Sequence, residues 1–188
     1  MRIVDVRELS VPISRYADPA VLSGGLTTSV VAVITDVIRN GKPVVGYGFA
    51  SIGRFAQGGL IRERFAPRLL AAGDIDIMDE AGTVLDPVRA WKVMMASEKP
   101  GGHGERCVAV GALDMALWDA AAKIRQLPLY EFLTERTARP ALKSPAVSVY
   151  AGGGYYYPAD DVGRLSDEVR RFRDLGYRVP RSKLAVRP

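Results

Sequence analysis

Histidine and cysteine each occur once in this chain of 188 residues, as His103 and Cys107. A single cysteine excludes an internal disulfide and suits a reducing cytoplasm. One of each also leaves no self-contained zinc set. No run of about eighteen apolar residues is present, so the sequence offers no membrane helix. The opening "MRIVDVRELSVPI" alternates where a signal peptide would carry an unbroken apolar stretch. Net charge is +5, but the arginines are scattered, and their densest group, "EVRRFRD", is interleaved with acids. That is the pattern of a solvated helix face and argues against a nucleic-acid patch. The basic balance suits a small anionic ligand.

What is present is patterned. "RIVDVRELSVPI" alternates, which places Ile3, Asp5 and Arg7 on one face and Val4 and Val6 on the other. "TTSVVAVITDVI" is rich in β-branched residues, and "PVVGYGFAS" follows it across Asn40-Gly41, a strong hairpin signal. An antiparallel three-stranded meander is therefore expected. The stretch "SRYADPAVLSGGL" between the first two strands reads as a loop, and loops on a fixed scaffold often touch ligands.

Helical spacing then takes over. "GGLIRERFAPRLLAAG" sets Leu60, Ile61, Phe65, Leu69 and Ala72 on one stripe and stops at Gly73. "DPVRAWKVMMASE" opens with Asp86 as cap and Pro87 at the first helical position. In "ERCVAVGALDMALWDAAAKIRQ" the residues Val110, Leu113, Leu117, Ala121 and Ile124 repeat at helical period. Asp114 and Asp119 lie near that apolar face. General acid–base chemistry is conceivable for such a pair, but structural hydrogen bonding is the favoured reading. A short helix, "LYEFLTE", follows Pro128. Beyond Pro140, "SPAVSVYAGGG" reads as a strand and "DDVGRLSDEVRRFRDLG" as an amphipathic helix capped by Asp160 or Asp161 and stopped at Gly176. A strand is expected from Tyr177. Strand, helix and strand begin a parallel sheet or barrel.

Three stretches could carry chemistry. "FASIGRF" sets Arg54 in a strand-to-helix loop, where it either grips a carboxylate or is simply solvated. "EKPGGHGERC" places Lys99 and His103 among glycines ahead of a helix, either as an anion site or as a connector. "AGGGYYYP" lacks the third glycine of a dinucleotide fingerprint. Its tyrosines either line a polar pocket or pack beneath a loop.

Taken together, "VGALDMALWDAAAKIRQLPLYEFL", "VVGYGF", "GRFAQGGLIRERFAPRLL", "EKPGGHGER" and "YAGGGYYYP" resemble the enolase superfamily. The resemblance is to its mandelate racemase/muconate lactonizing enzyme branch, and more narrowly to D-tartrate dehydratase-like members. It implies an α+β capping domain over residues 1–140 and the start of a (β/α) barrel over 141–188. It further implies a cytoplasmic hydro-lyase acting on a small sugar-acid carboxylate, with no nucleic-acid or membrane partner. In such an enzyme a lysine removes the proton α to the carboxylate, Mg2+ stabilises the enediolate, and water leaves. Full-length relatives would be homo-oligomers.

By the same resemblance Lys99, Tyr156 and Asp18 contact substrate. Lys183 fills the slot of the base lysine in a K-x-K motif whose first position is Arg181. Asp18, Ala50 and Ile52 replace asparagines of the D-tartrate enzyme, which opens the substrate to other sugar acids. A racemase or epimerase of the same superfamily, or a non-catalytic module that associates with longer homologues, are the alternatives.

The family tail after "GY" departs here into "RVPRSKLAVRP". One permissible codon choice for Pro180–Pro188, regrouped by one nucleotide, reads Lys-Val-Lys-Ala-Gly-Gly-Ala-Pro and restores that tail. The expectation is a shifted reading of a longer gene. The family's metal ligands belong to later strands, so none is assigned here and the chain by itself is expected to be inactive.

Overall fold

The computed structural model describes residues 1–12, 27–50, 56–101, 104–137, 140, 146–153 and 159–182. These fall in two compact units, Met1–Ala141 and Leu142–Pro188.

In the first unit, β1 (Ile3–Pro12), β2 (Thr27–Arg39) and β3 (Lys42–Phe49) form an antiparallel sheet in the order β1-β2-β3. This is the meander that the sequence predicts. Its tight turn sets Asn40 at φ 49° and Gly41 at φ 73°, the pair of left-handed residues whose twist matches two right-twisted strands. β2 alternates strictly, with Ser29, Val31, Val33 and Thr35 all fully buried.

β1 departs from its expected alternation. The register with β2 shifts between Ile3 and Asp5, so Val4 bulges outward and the faces exchange. Ile3 is buried while Val4 is exposed, and Val6, Glu8 and Ser10 then pair with Val33, Val31 and Ser29 on the inward phase. An extra residue in one strand reverses every later side chain. Strict period-two reading could not see it.

The next segment is one helical path in three parts: α1 (Gln57–Leu60), a π-helical turn (Ile61–Phe65) and α2 (Ala66–Ala71). The expected stripe holds, with Ile61, Phe65 and Leu69 buried. The π turn was not legible. In it the Ala66 N–H reaches Ile61 O, five residues back, and Pro67 has no N–H with which to resume the α-helical ladder immediately. After α3 (Asp74–Ile77) comes α4 (Pro87–Met95). Its Asp86 cap accepts the Val88 N–H at 2.9 Å and the Arg89 N–H at 3.3 Å, and Arg136 secures the second carboxylate oxygen at 2.7 Å.

The long α5 (Glu105–Arg125) lies across the sheet. Its expected apolar positions Val110, Leu113, Leu117, Ala121 and Ile124 are all buried. A second stripe of small residues, Ala112, Ala116 and Ala120, meets β3. A Cβ on Gly46 would stand 2.0 Å from Ala116 O, and one on Gly48 would stand 2.1 Å from Ala112 O. Those glycines are what lets helix and strand backbones touch. Asp119 closes the outer edge of β3 by accepting the Tyr47 N–H at 2.8 Å, and Lys123 donates to Val45 O at 3.0 Å. The strand edge is thereby covered rather than left as a template for pairing. α6 (Leu129–Arg136) packs Phe132 edge-on against Trp118 with ring centroids 5.7 Å apart.

In the second unit, β4 (Ala151–Gly153) and β5 (Pro180–Ser182) pair in parallel, with α7 (Asp161–Asp174) between them in sequence. The strand–helix–strand order is as expected, and the strands are shorter. Asp160 caps α7, and Gly176 at φ 90° ends it. Tyr177 does not open a strand, because it belongs to the helix end. Its N–H returns to Phe172 O at 3.0 Å and its ring meets the Phe172 ring edge-on at 6.2 Å. This is the six-to-one closure of a glycine-terminated helix together with its hydrophobic contact.

Candidate functional site

The two cap loops expected to face a ligand, residues 13–26 and 51–55, lie outside the described residues, but their roots are defined. β1 ends, β2 begins and β3 ends at one edge of the meander. There the Ala50 N–H donates to Ser29 O at 3.0 Å, and the Thr28 hydroxyl donates to Ala50 O. Gln57, almost wholly buried, donates Nε2 to Thr27 O at 2.9 Å and to Thr27 Oγ1 at 3.2 Å. The roots are stitched to each other and to α1.

Beneath them lies a buried carboxylate. The Glu8 side chain is 1% exposed and accepts hydrogen bonds from Ser10 Oγ at 2.6 Å and Ser29 Oγ at 2.7 Å, with Arg62 of the π turn as ion-pair partner. Burial would raise this carboxyl. The two hydroxyl hydrogen bonds and the Arg62 charge overcome burial and hold it below the usual glutamate value. Gly58 leaves the space for this group, because a Cβ there would meet Ser10 Oγ at 2.6 Å.

The π turn aims a second arginine the other way, at Glu98. Arg64 makes a forked pair with that carboxylate, Nε to Oε1 at 2.9 Å and Nη2 to Oε2 at 3.0 Å. Arg68 of α2 adds a contact at 2.9 Å and Arg106 of α5 one at 3.2 Å. The Glu98 side chain is 2% exposed. Burial pushes its carboxyl up, and the Arg64 and Arg68 guanidiniums outweigh that and hold it low. Lys99, next in sequence, is exposed, and its ammonium has no partner among the described residues. After it Gly101 at φ 95° and Gly104 at φ 79° turn the chain into α5, a path closed to most other residue types.

Of the four residues that the resemblance assigns to substrate contact or proton transfer, only Lys99 is described. Asp18, Tyr156 and Lys183 lie outside the described residues, as do Arg54, His103 and Ile52. Ala50 is buried and offers only its backbone to polar partners. Asp114 and Asp119 are not brought together as an acid–base pair. Asp119 serves the β3 edge and Lys123. Half-burial raises the Asp114 carboxyl, against a hydrogen bond from Trp118 that lowers it. Sequence reasoning missed Glu8, Glu98 and Arg106. The signal for Glu8 was available, since it stands on the inward phase of an alternating strand, but only once the bulge is known.

Magnesium, which the superfamily resemblance implies, does not fit the described residues. No group of three or more His, Cys, Asp or Glu among them is placed to hold a metal. The buried carboxylates of Glu8, Glu98 and Asp86 are already committed to arginines. No helix among the described residues is long and apolar enough to cross a membrane.

Comparison with known proteins gives this geometry a family. Residues 15–134, more than half the chain, match the model described as mandelate racemase / muconate lactonizing enzyme, N-terminal domain. The chain is similar to a D-mannonate dehydratase of Xanthomonas oryzae pv. oryzicola, with 29% identity over 155 residues that cover 81% of this chain and 32% of the relative. In fold it is similar to a mandelate racemase/muconate lactonizing enzyme-like protein from Rubrobacter xylanophilus, at TM-score 0.63 and 23% identity over 100% of this chain and 46% of the other. A Pantoea ananatis enolase solved with D-gluconate and magnesium gives TM-score 0.62 at 22% identity, over 97% and 36%. The chain thus spans about a third of the length of that mannonate dehydratase. Its three-stranded sheet, its helices and the matched residues establish that the chain belongs to the mandelate racemase / muconate lactonizing enzyme family, whose N-terminal domain it carries.

Proposed function

We propose that this chain supplies the substrate-recognising cap, and the first strand–helix–strand of the barrel, of a Mg2+-dependent sugar-acid dehydratase of the D-tartrate-like kind. The observation that carries the reading is the presentation of Lys99. Its ammonium, without a partner among the described residues, is exposed on a short segment whose neighbouring carboxylate is gripped by three arginines. An ammonium held this way is a ready partner for a substrate carboxylate, and charge-assisted hydrogen bonds are the strong ones. The D-mannonate dehydratase relative supports a sugar acid as that substrate. The gluconate and magnesium bound by a protein of like fold agree with it.

In this reading Asp18 and Tyr156 complete the contacts to the substrate, and Lys183 accepts the proton α to the carboxylate before the β-hydroxyl leaves as water. These three assignments rest on family resemblance. No carboxylate set among the described residues fits magnesium, so the share of the described cap is recognition: it binds the carboxylate and screens it from water. Dehydration by this chain alone is not expected.

Calorimetric titration of the purified chain with D-mannonate and D-tartrate tests the reading. Saturable binding that Lys99→Met weakens about tenfold is expected, the typical cost of one charge-assisted hydrogen bond. Equal affinity of the two proteins would remove Lys99 from the site. A parallel assay for 2-keto acid in the presence of Mg2+ should stay at background, and turnover would overturn the restriction of this chain to recognition.

A further inference from the structure

We infer that Glu98 is the positioning residue of Lys99, and that it works through Arg106. The inference rests on the proposed role of Lys99 in carboxylate recognition and adds a residue to it.

Three elements converge on the Glu98 carboxylate. Arg64 comes from the π turn, Arg68 from α2 and Arg106 from the first turn of α5. Each end of the Lys99 segment is then fastened by the same guanidiniums. Arg68 Nη1 also donates to Met94 O, in the last turn of α4. Arg106 Nη1, besides its contact with Glu98, donates to Lys99 O at 2.9 Å. The backbone that carries the ammonium is therefore pinned on both sides, by side chains that are themselves ordered on one buried anion.

The backbone between those pins is strained. Ser97 sits at φ 61°, in the left-handed region that disfavours a residue with a Cβ. Such a conformation persists only where its surroundings hold it, and the residue that follows is the clamped Glu98. The Glu98 N–H to Met95 O bond, at 3.1 Å, closes the turn. A tie for overall stability alone would not need a strained residue two positions before an exposed lysine.

Charge separates this reading from a simple electrostatic one. Three arginines surround one carboxylate, so the cluster carries surplus positive charge beside Lys99. Neutralising Glu98 makes the neighbourhood more positive, and on field strength alone an anion should then bind more tightly. If Glu98 instead orients Lys99, its neutral variant should bind the anion more weakly. The two ideas predict opposite signs.

The test is titration of the full chain with D-mannonate, comparing wild type with Glu98→Gln, Glu98→Asp, Arg106→Lys and Lys99→Met, with amide protection of α5 confirming that each variant is folded. The expected result is a loss of about tenfold for Glu98→Gln, close to that of Lys99→Met. Glu98→Asp should recover part of the affinity. Arg106→Lys keeps the net charge and leaves Glu98 two arginines, so it serves if Glu98→Gln does not fold, and it should lose several-fold. Unchanged or tighter binding by Glu98→Gln, with Lys99→Met weakened, would overturn the positioning role and leave Lys99 in place. Equal binding by Lys99→Met and wild type would instead show that the recognition reading itself had failed, and the inference with it.

Discussion

The two units of this chain contain similar kinds of apolar sequence and use them differently. In the first, the apolar stripes meet. β2 lays Val31 and Val33 against helices, and α5 buries Leu113, Leu117 and Ile124 on one side and Ala112, Ala116 and Ala120 against β3. In the second, Val147, Val149, Val162, Leu175 and Val179 are all exposed, and the one buried apolar residue among those described is Ala151. Hydrophobic patterning therefore predicts an element, while burial requires a second patterned element opposite it. A meander of three strands roofed by helices closes a layer pair by itself. One parallel pair of strands and one helix do not.

This contrast can be sharpened by substitution, and the largest effects should fall in the first unit. Leu117→Ala removes a fully buried side chain and should cost about 3 kcal/mol of unfolding free energy, read from urea denaturation. Gly46→Ala forces a methyl against the backbone of α5 and should cost about as much, 1–3 kcal/mol or more. If Gly46→Ala proved neutral, the close helix–strand contact would be wrong. Gly41→Ala, at the hairpin turn, should cost about 1 kcal/mol, because φ 73° disfavours any Cβ.

Acid should act on the first unit too. Glu8 and Glu98 both have carboxyls lower in the fold than in the unfolded chain. Their contribution is complete above the ordinary glutamate range and drains away as pH falls through the lowered folded values. The urea midpoint of the first unit should therefore drop below pH 4.5, near the reference glutamate value. It should drop less in Glu8→Gln, which begins less stable at neutral pH. The smallest effects belong to exposed residues of the second unit. Val149→Ser and Val162→Ser should change stability by no more than about 0.5 kcal/mol, while reducing self-association seen by light scattering. A large loss of stability in either would mean that the second unit has a core after all.

Legibility in the sequence follows the same division. The hairpin was readable because Asn40-Gly41 admits few other conformations. α4 was readable because Asp86-Pro87 is a start signal with a mechanism, and α5 because its period and alanine content agree. What was missed depended on tertiary context. The β1 bulge is invisible to alternation, the π turn needs Pro67 read together with the arginines it redirects, and Tyr177 was claimed by a helix cap before it could start a strand. At the site, Lys99 was found through the family-like "EKPGGHGER" stretch. Its supports Glu98 and Arg106, in that same stretch, were not singled out, since only three-dimensional convergence distinguishes them from solvated charges.

Residue-resolved NMR during D-mannonate titration measures directly where a sugar-acid carboxylate touches this chain. Saturable shifts concentrated at Lys99, Gly101 and Arg106, abolished by Lys99→Met, are the predicted result. Shifts that centre on the second unit, or that survive loss of the Lys99 ammonium, would contradict it.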